Sequence, residues 1–407
     1  MSCESKGDNR TLKRRNEHFS HPVAKFQKRE SNDSPVCKFL TEPRDQFNKA
    51  FPFFRIPEEY GYFSQDSRRQ FRSDKSQIRF YVPPANINRV NYDLTHGYSN
   101  LIRKDEDKKE YLDDLIKWVV ENKTKFQIKT TKTKDADQDT QSQSITSLNT
   151  DFVCWRGLLT RLLCTQYESR DGWIIAVTLF KGTYYLCEFE TEEKKHQRDT
   201  TTERQDQMCY GGWKFEQYLT SDVEGGSPDT SVPVNNNEGF CSVVRTRLNK
   251  HSLVFGGEVD CVDRTLSSKN KYVELKTSRE MDNPRQRENF HRYKLIKWWA
   301  QSFLIGIEKI ICGFRDDYGI VHRLEEFPTQ KIPDMVKGIR NPWNAAVCFN
   351  FLDKFLDFVK QTVTTDDPRV VYVCRWQPRQ DVTCEKMAPD SEFVFLPDWF
   401  TKDEVWG

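Results

Sequence analysis

The stretch that most constrains this chain runs over residues 255–277. It opens Phe-Gly-Gly-Glu-Val-Asp-Cys, crosses a polar spacer and closes Tyr-Val-Glu-Leu-Lys-Thr. In a β-strand, side chains two apart share a face. Strands at both ends put Glu258 with Asp260 on one face and Val259 with Cys261 on the other. They likewise put Glu274 with Lys276 opposite Val273, Leu275 and Thr277. The spacer, residues 262–271, is rich in Asp, Arg, Ser, Asn and Lys, which predicts a hairpin loop. Pairing the two strands gathers three carboxylates and an ammonium above an apolar underside.

Carboxylates that close repel one another and tend to hold protons unless a cation joins them. Hard oxygen ligands suit Mg²⁺ or Mn²⁺. Two such ions, roughly 4 Å apart, can flank the attacking and leaving oxygens of a phosphodiester. A lysine beside them can orient or deprotonate water and stabilise charge on the phosphorus. An acid followed by Glu-x-Lys is the general pattern of a large group of metal-dependent nucleases. An ordinary surface hairpin with charges outward and apolar residues inward has the same alternation, so the rest of the chain must decide.

A chain of 407 residues can bury a large core, and 10 Trp, 15 Tyr and 28 Phe supply it despite a 30% charged content. No apolar run reaches membrane-spanning length and the polar N-terminus is no signal peptide. The 12 cysteines are scattered without a C-x-x-C pair, which predicts reduced, mostly buried thiols rather than disulfides or a zinc ribbon. Net charge is +2, but residues 1–50 carry 11 Lys/Arg against 7 Asp/Glu, leaving 52 against 54 in the remainder. A fold that is not basic overall argues against broad duplex binding, so a nucleic-acid substrate needs a local groove and metal charge. Low hydrophobicity predicts a disordered tail over residues 1–45. Its Lys13-Arg14-Arg15, Lys25 and Lys28-Arg29 suggest a nuclear import signal.

Folding is expected from about Phe51-Pro52-Phe53 onward. Residues 105–121 read as a helix and residues 130–150, nearly all Thr, Lys, Asp, Gln and Ser, as a mobile surface loop. Residues 173–177 and 183–189 read as strands, and residues 240–248 fit helix or strand. Residues 288–304 read as a mostly buried helix with Lys294, Lys297 and Gln301 in a polar stripe. Residues 309–314 and 370–376 read as strands, residues 344–363 as a helix, and residues 393–400 close the core. The predicted class is α+β: one large domain, residues 46–407, with a mixed central sheet flanked by helices.

Several separated segments together resemble the DXO family of eukaryotic decapping exoribonucleases, which act in quality control of RNA 5′ ends. They are Phe51-Pro52-Phe53, Trp155-Arg156-Gly157, Lys214-Phe215-Glu216-Gln217-Tyr218, Gly257-Glu258-Val259-Asp260-Cys261, Tyr272-Val273-Glu274-Leu275-Lys276-Thr277 and Lys297-Trp298-Trp299-Ala300-Gln301-Ser302-Phe303. The resemblance spans nearly the whole folded part and implies a PD-(D/E)xK-type nuclease core. It implies two metal ions, Mg²⁺ or Mn²⁺, held by Glu216, Glu258, Asp260, Glu274 and the Leu275 carbonyl. Lys276 and Gln301 would contact the scissile phosphate and the attacking water. Arg156, between Trp155 and Gly157, would hold the 5′-end phosphate, a role suited to a guanidinium. Arg69, Glu110 and Cys241 would touch substrate.

The expected activity is metal-dependent hydrolysis at RNA 5′ ends: removal of unmethylated guanosine or NAD caps and of 5′ phosphates, then 5′→3′ degradation. The basic tail suggests a nuclear location, a monomer is the default expectation, and the resemblance makes the nuclear 5′→3′ exoribonuclease a candidate partner. The rival from another class is a non-catalytic adaptor that binds RNA ends or stabilises that exoribonuclease. Its signature would be loss of Glu258, Asp260 or Lys276, and all three are present. A DNA endonuclease on the same acid–Glu-x-Lys core is the second rival.

Overall fold

The computed structural model describes residues 36–126, 129–131, 145–267, 269 and 271–406. The candidate import signal and residues 132–144 of the expected loop lie outside them. Among the described residues the strands form two large mixed sheets and a two-stranded pair. In the ten-stranded sheet, Phe152–Trp155 runs parallel to both neighbours, Thr183–Phe189 and His251–Glu258, while the other pairings are antiparallel. In the seven-stranded sheet, Tyr272–Arg279 runs parallel to Lys309–Arg315 and antiparallel to Cys261–Val262. The α+β class and the mixed sheet core stand as predicted.

The main apolar core takes Phe152, Ile175, Leu186 and Phe255 from the first sheet and Ile310, Cys312 and Phe314 from the second. It is completed by the helices Arg156–Cys164, Leu295–Ile305 and Ala345–Thr362. The Asp113–Glu121 helix and the buried C-terminal Phe400 and Trp406 cover the outer face of the first sheet. The Glu203–Leu219 helix covers that of the second through Phe215 and Leu219. No helix among the described residues is long and apolar enough to cross a membrane.

Four expectations change. The fold begins before residue 46, because Cys37–Phe39 pairs with Val382–Lys386 as the edge strand of the first sheet. Phe39 there packs against Phe351, Phe355 and Phe358. Alternation of Cys37 and Phe39 inward with the exposed Val36 and Leu40 is the local signal, hidden by the charged composition around it. The two ends of the expected loop, Lys129–Thr131 and Ile145–Ser147, pair as antiparallel strands. The helix expected from residue 105 starts at Asp113, after Tyr111 has taken a positive φ of 34°. The helix of residues 288–304 is interrupted by a π-turn, Phe290–Lys294, which shifts its phase. Lys294 therefore leaves the expected stripe and donates to Ser278 Oγ at 3.2 Å, while Lys297 pairs with Glu168 at 3.0 Å.

The ambiguous residues 240–248 belong to the strand Gly239–Leu248. The Glu203–Leu219 helix was not expected, since Gly211-Gly212 lies inside it. Its start nevertheless carries a capping box, Thr202 with Gln205.

Candidate active site

Residues 255–277 cross from one sheet to the other: Cys261 and Val262 pair antiparallel with Val273 and Tyr272 across the polar spacer, as expected, but the strand carrying Glu258 lies in the first sheet. Glu258 ends a strand of the first sheet, whereas Cys261–Val262 and Tyr272–Arg279 belong to the second. The handover is visible in the backbone. Val259 N–H donates to the Phe240 carbonyl at 2.9 Å, closing the first sheet. The Leu275 N–H then donates to the Asp260 carboxylate at 2.6 Å. Glu258 and Asp260 thus come together at the end of one sheet and the edge of the other, without sharing a strand face.

Glycines permit this closeness. A Cβ on Gly256 would lie 2.7 Å from the Trp155 ring, and one on Gly257 would lie 2.9 Å from both Arg156 Cδ and Ile305 Cδ1. Only hydrogen fits, so the start of the Arg156–Cys164 helix and the end of the Leu295–Ile305 helix close over the strand. On the far face of the second sheet, Phe215 seats the Glu203–Leu219 helix against Gly313, where a Cβ would be 2.4 Å from its ring. Glu216, the next residue, then lines one cavity of about 500 Å³ with Glu258 and Asp260. Arg79 and Glu238, paired at 2.9 Å, line it too.

The charges are unequally matched. Glu274 is buried and makes ion pairs with Lys276 and, at 3.4 Å, with Arg156. Burial alone would push its carboxyl up, but these two cations hold it below its ordinary range. Lys276 keeps its proton: burial would lower it, and Glu274 and Asp260 outweigh that and raise it. Asp260 is pushed up to about 7 by burial and then by Glu274, and Glu216 is raised well above the carboxylate range by burial and then by Asp260 and Glu258. Carboxyl groups therefore outnumber cations around the cavity, and burial and mutual repulsion drive two of them toward the neutral form. Among the described residues no three His, Cys, Asp or Glu side chains are already drawn into a coordination shell.

The remaining sequence candidates fall around this centre. Arg156 is buried and turned toward Glu274, while Gly157 beside it is exposed near the N-terminus of its helix. Trp155 Nε1 donates to the Tyr111 carbonyl at 2.6 Å. Arg69 and Glu110 grip each other through two hydrogen bonds, at 3.0 and 3.1 Å, and Arg69 also donates to the Asn237 carbonyl at 3.1 Å. Cys241 lies opposite Glu258 in the strand register, buried, with its thiol pushed up by that burial. Leu275 packs its side chain beside Phe215 and Leu219 while its amide holds Asp260. Gln301 does not join the acids. It faces a separate groove of about 270 Å³ with Gly157, Lys297 and Trp376. Sequence reasoning missed Gly256, Gly313 and the strained Tyr111. The Gly-Gly of residues 256–257, inside an otherwise apolar strand, was the available signal.

A family model described as RAI1-like PD-(D/E)XK nuclease matches residues 55–401. The decapping and exoribonuclease protein of Xenopus laevis is 40% identical over 406 residues, covering 96% of this chain and 98% of that protein. Among solved structures, S. pombe Rai1 in complex with 3′-FADP is similar with a TM-score of 0.67 at 27% identity, over 87% of this chain and 100% of that one. Candida albicans Rai1 in complex with pU5-Mn²⁺ is similar with a TM-score of 0.71 at 25% identity, over 87% and 96%.

Proposed function

The chain belongs to the RAI1-like PD-(D/E)XK nuclease family, and from that premise we propose that it hydrolyses RNA 5′ ends. It removes incomplete or metabolite-type caps and 5′ phosphates and then degrades the RNA 5′→3′. The observation that carries this reading is the convergence of Glu216, Glu258, Asp260 and Glu274, from three separate segments, in one cluster of carboxyl groups that repel one another. The relative solved with pU5 and Mn²⁺ and the one solved with 3′-FADP support RNA and a dinucleotide-type cap as substrates.

The donor set fits a hard divalent cation: all oxygen, with two carboxyls that burial and mutual repulsion drive toward protonation. Glu216, Glu258, Asp260, Glu274 and the Leu275 carbonyl would hold two Mg²⁺ or Mn²⁺ ions. When bound, such ions supply an acidified water and shield charge on the phosphate. The residues contribute the rest. Lys276, fixed in its charged form by Glu274, gives positive charge to the scissile phosphate rather than taking a proton from water. Arg156 anchors Glu274 from the opposite side. Gly157, without a side chain and exposed, leaves helix N–H groups open to the 5′ phosphate. Gln301, in the separate groove it shares with Gly157, would contact the scissile phosphate or the attacking water once substrate lies there. The reading also includes a nuclear monomer, with the nuclear 5′→3′ exoribonuclease as candidate partner.

The test uses three RNAs of one sequence, carrying a 5′-monophosphate, an NAD cap or an m⁷G cap, each with Mg²⁺ and with EDTA. Metal-dependent release of an intact cap, then laddering from the 5′ end, is expected. Binding without turnover of any of them would leave the adaptor reading. Faster cleavage of DNA of the same sequence would leave the endonuclease reading.

A further inference from the structure

Three cysteines on three neighbouring strands stand in one row at the edge of the first sheet. In the antiparallel register Cys37 faces Cys384, and Cys384 faces Cys374 on its other side. Facing residues point to the same side of a sheet, so the three thiols share one face with Cys384 in the middle. That face belongs to the main apolar core. Cys374 and Cys384 are buried there, while Cys37, in the outermost strand, is only partly covered. All three are free thiols, and the Cys374 Sγ donates to the Cys384 Sγ at 2.7 Å. A disulfide joins Cα atoms roughly 4.4–6.8 Å apart, and facing residues of antiparallel strands lie roughly 4.5–5.5 Å apart. Both facing pairs are therefore within bridging range.

We propose that this row is an oxidation site that takes hydrogen peroxide at Cys37 and passes the oxidation inward to a Cys374–Cys384 disulfide. The peroxide gives one oxygen to the Cys37 sulfur, leaves as water and makes a sulfenic acid. The Cys384 sulfur then attacks the Cys37 sulfur. The hydroxyl departs with the Cys384 proton as a second water, and an S–S bond joins the two residues. Finally the Cys374 sulfur attacks Cys384 from the side opposite Cys37, the in-line approach that the row provides. Its proton goes to the Cys37 sulfur, which leaves as a thiol. Two thiols have then lost two electrons and two hydrogens, and Cys37 is restored. Access sets the order, because Cys37 alone of the three is open to a solvent-borne oxidant. Burial, and then the hydrogen bond with Cys384, keeps the Cys374 thiol protonated, so its attack is the slow step. The product is a covalent staple across the hairpin of Tyr372–Trp376 and Val382–Lys386, the hairpin that the N-terminal strand pairs with. Neither the acidic cavity nor the RNA-hydrolase reading enters into it.

The experiment treats the full chain, reduced and freed of reductant, with hydrogen peroxide. Samples are blocked with an alkylating agent at intervals, digested with trypsin without reduction and read by mass spectrometry. Cleavage after Arg29, Lys38, Arg369, Arg375, Arg379 and Lys386 places the three cysteines on separate peptides. Residues 30–38 should first appear joined to residues 380–386, and later residues 370–375 joined to residues 380–386. Each pair should be lighter by two hydrogens and be split by dithiothreitol. Cys37→Ser should slow formation of the buried bridge about 10-fold or more. Cys374→Ala should leave the bridge between Cys37 and Cys384 as the end product. Full alkylation of all three cysteines in the peroxide-treated wild type would overturn the proposal. So would a buried bridge that forms as fast in Cys37→Ser, or a wild-type Cys37–Cys384 bridge that never passes to Cys374.

Discussion

The strand His251–Glu258 ends in acidic clusters at both of its ends, and they are built in opposite ways. At the His251 end, Asp353 and Asp357 of the Ala345–Thr362 helix approach the buried His251 ring at 3.6 and 3.2 Å. Lys250 and Lys354 pair with Asp357 at 2.6 and 3.2 Å, and Lys360 pairs with Asp151 at 2.7 Å. Burial would raise the Asp357 carboxyl, but those lysines hold it below its ordinary range. At the Glu258 end, Lys276 and Arg156 pair with Glu274, while burial and then Glu274 raise Asp260, and burial and then Asp260 raise Glu216. Matched acids pin a helix to a strand. Unmatched acids keep a charge deficit that a bound cation can fill.

Breaking the unmatched end should have the largest effect. Glu258→Ala with Asp260→Ala should lower hydrolysis of 5′-monophosphate RNA by about 1,000-fold or more, since it removes two of the oxygen ligands. The melting temperature should change little, because the lost Leu275 N–H bond to Asp260 is offset by relief of the repulsion among the buried acids. Gly257→Ala comes next. Its new methyl must displace Arg156 or Ile305, so activity should drop on the order of 10–100-fold and thermal stability should drop with it. Both are read from one assay and one melt.

At the matched end the signs reverse. Asp357→Asn should cost roughly 1–3 kcal/mol of stability and leave kcat/KM within about twofold, as urea melts and kinetics would show.

The smallest effect sharpens the contrast through pH. Asp260 is raised to about 7, so without metal its contribution to stability is present below pH about 4 and is lost as pH rises toward 7. His251 is lowered, by burial and then by Lys360, so the unfolded chain gains the proton first and stability is lost as pH falls below its ordinary value. Metal-free melts of Asp260→Asn should flatten the high-pH loss only, and Mn²⁺ should raise the wild-type melting temperature more at pH 7.5 than at pH 5.

Much of this was legible in the sequence, and the exceptions have physical causes. The alternation in residues 272–277 and the aromatic strand at residues 183–189 carry period-2 signals strong enough to survive any tertiary context. Glu258, Asp260, Glu274 and Lys276 were read from local spacing alone, yet their arrangement was not. A strand that changes sheets between Glu258 and Cys261 has the same alternation as one that continues. Glu216 has no local signal at all, because its place depends on Phe215 finding Gly313, almost a hundred residues away. Arg156 had the right neighbours for a phosphate clamp, and only the packing over Gly257 shows it turned inward to Glu274. The π-turn at Phe290–Lys294 follows from no propensity rule, and it is what separates Lys294 from Gln301.

The most direct measurement is Mn²⁺ binding by isothermal titration at pH 7.5 to the wild-type chain, Asp260→Ala and Asp357→Asn. The account predicts that the wild type takes up the ion, that Asp260→Ala binds it far more weakly, and that Asp357→Asn binds it as the wild type does. Wild-type affinity retained in Asp260→Ala, or lost in Asp357→Asn, would contradict the assignment of the metal to the Glu258 end of the strand.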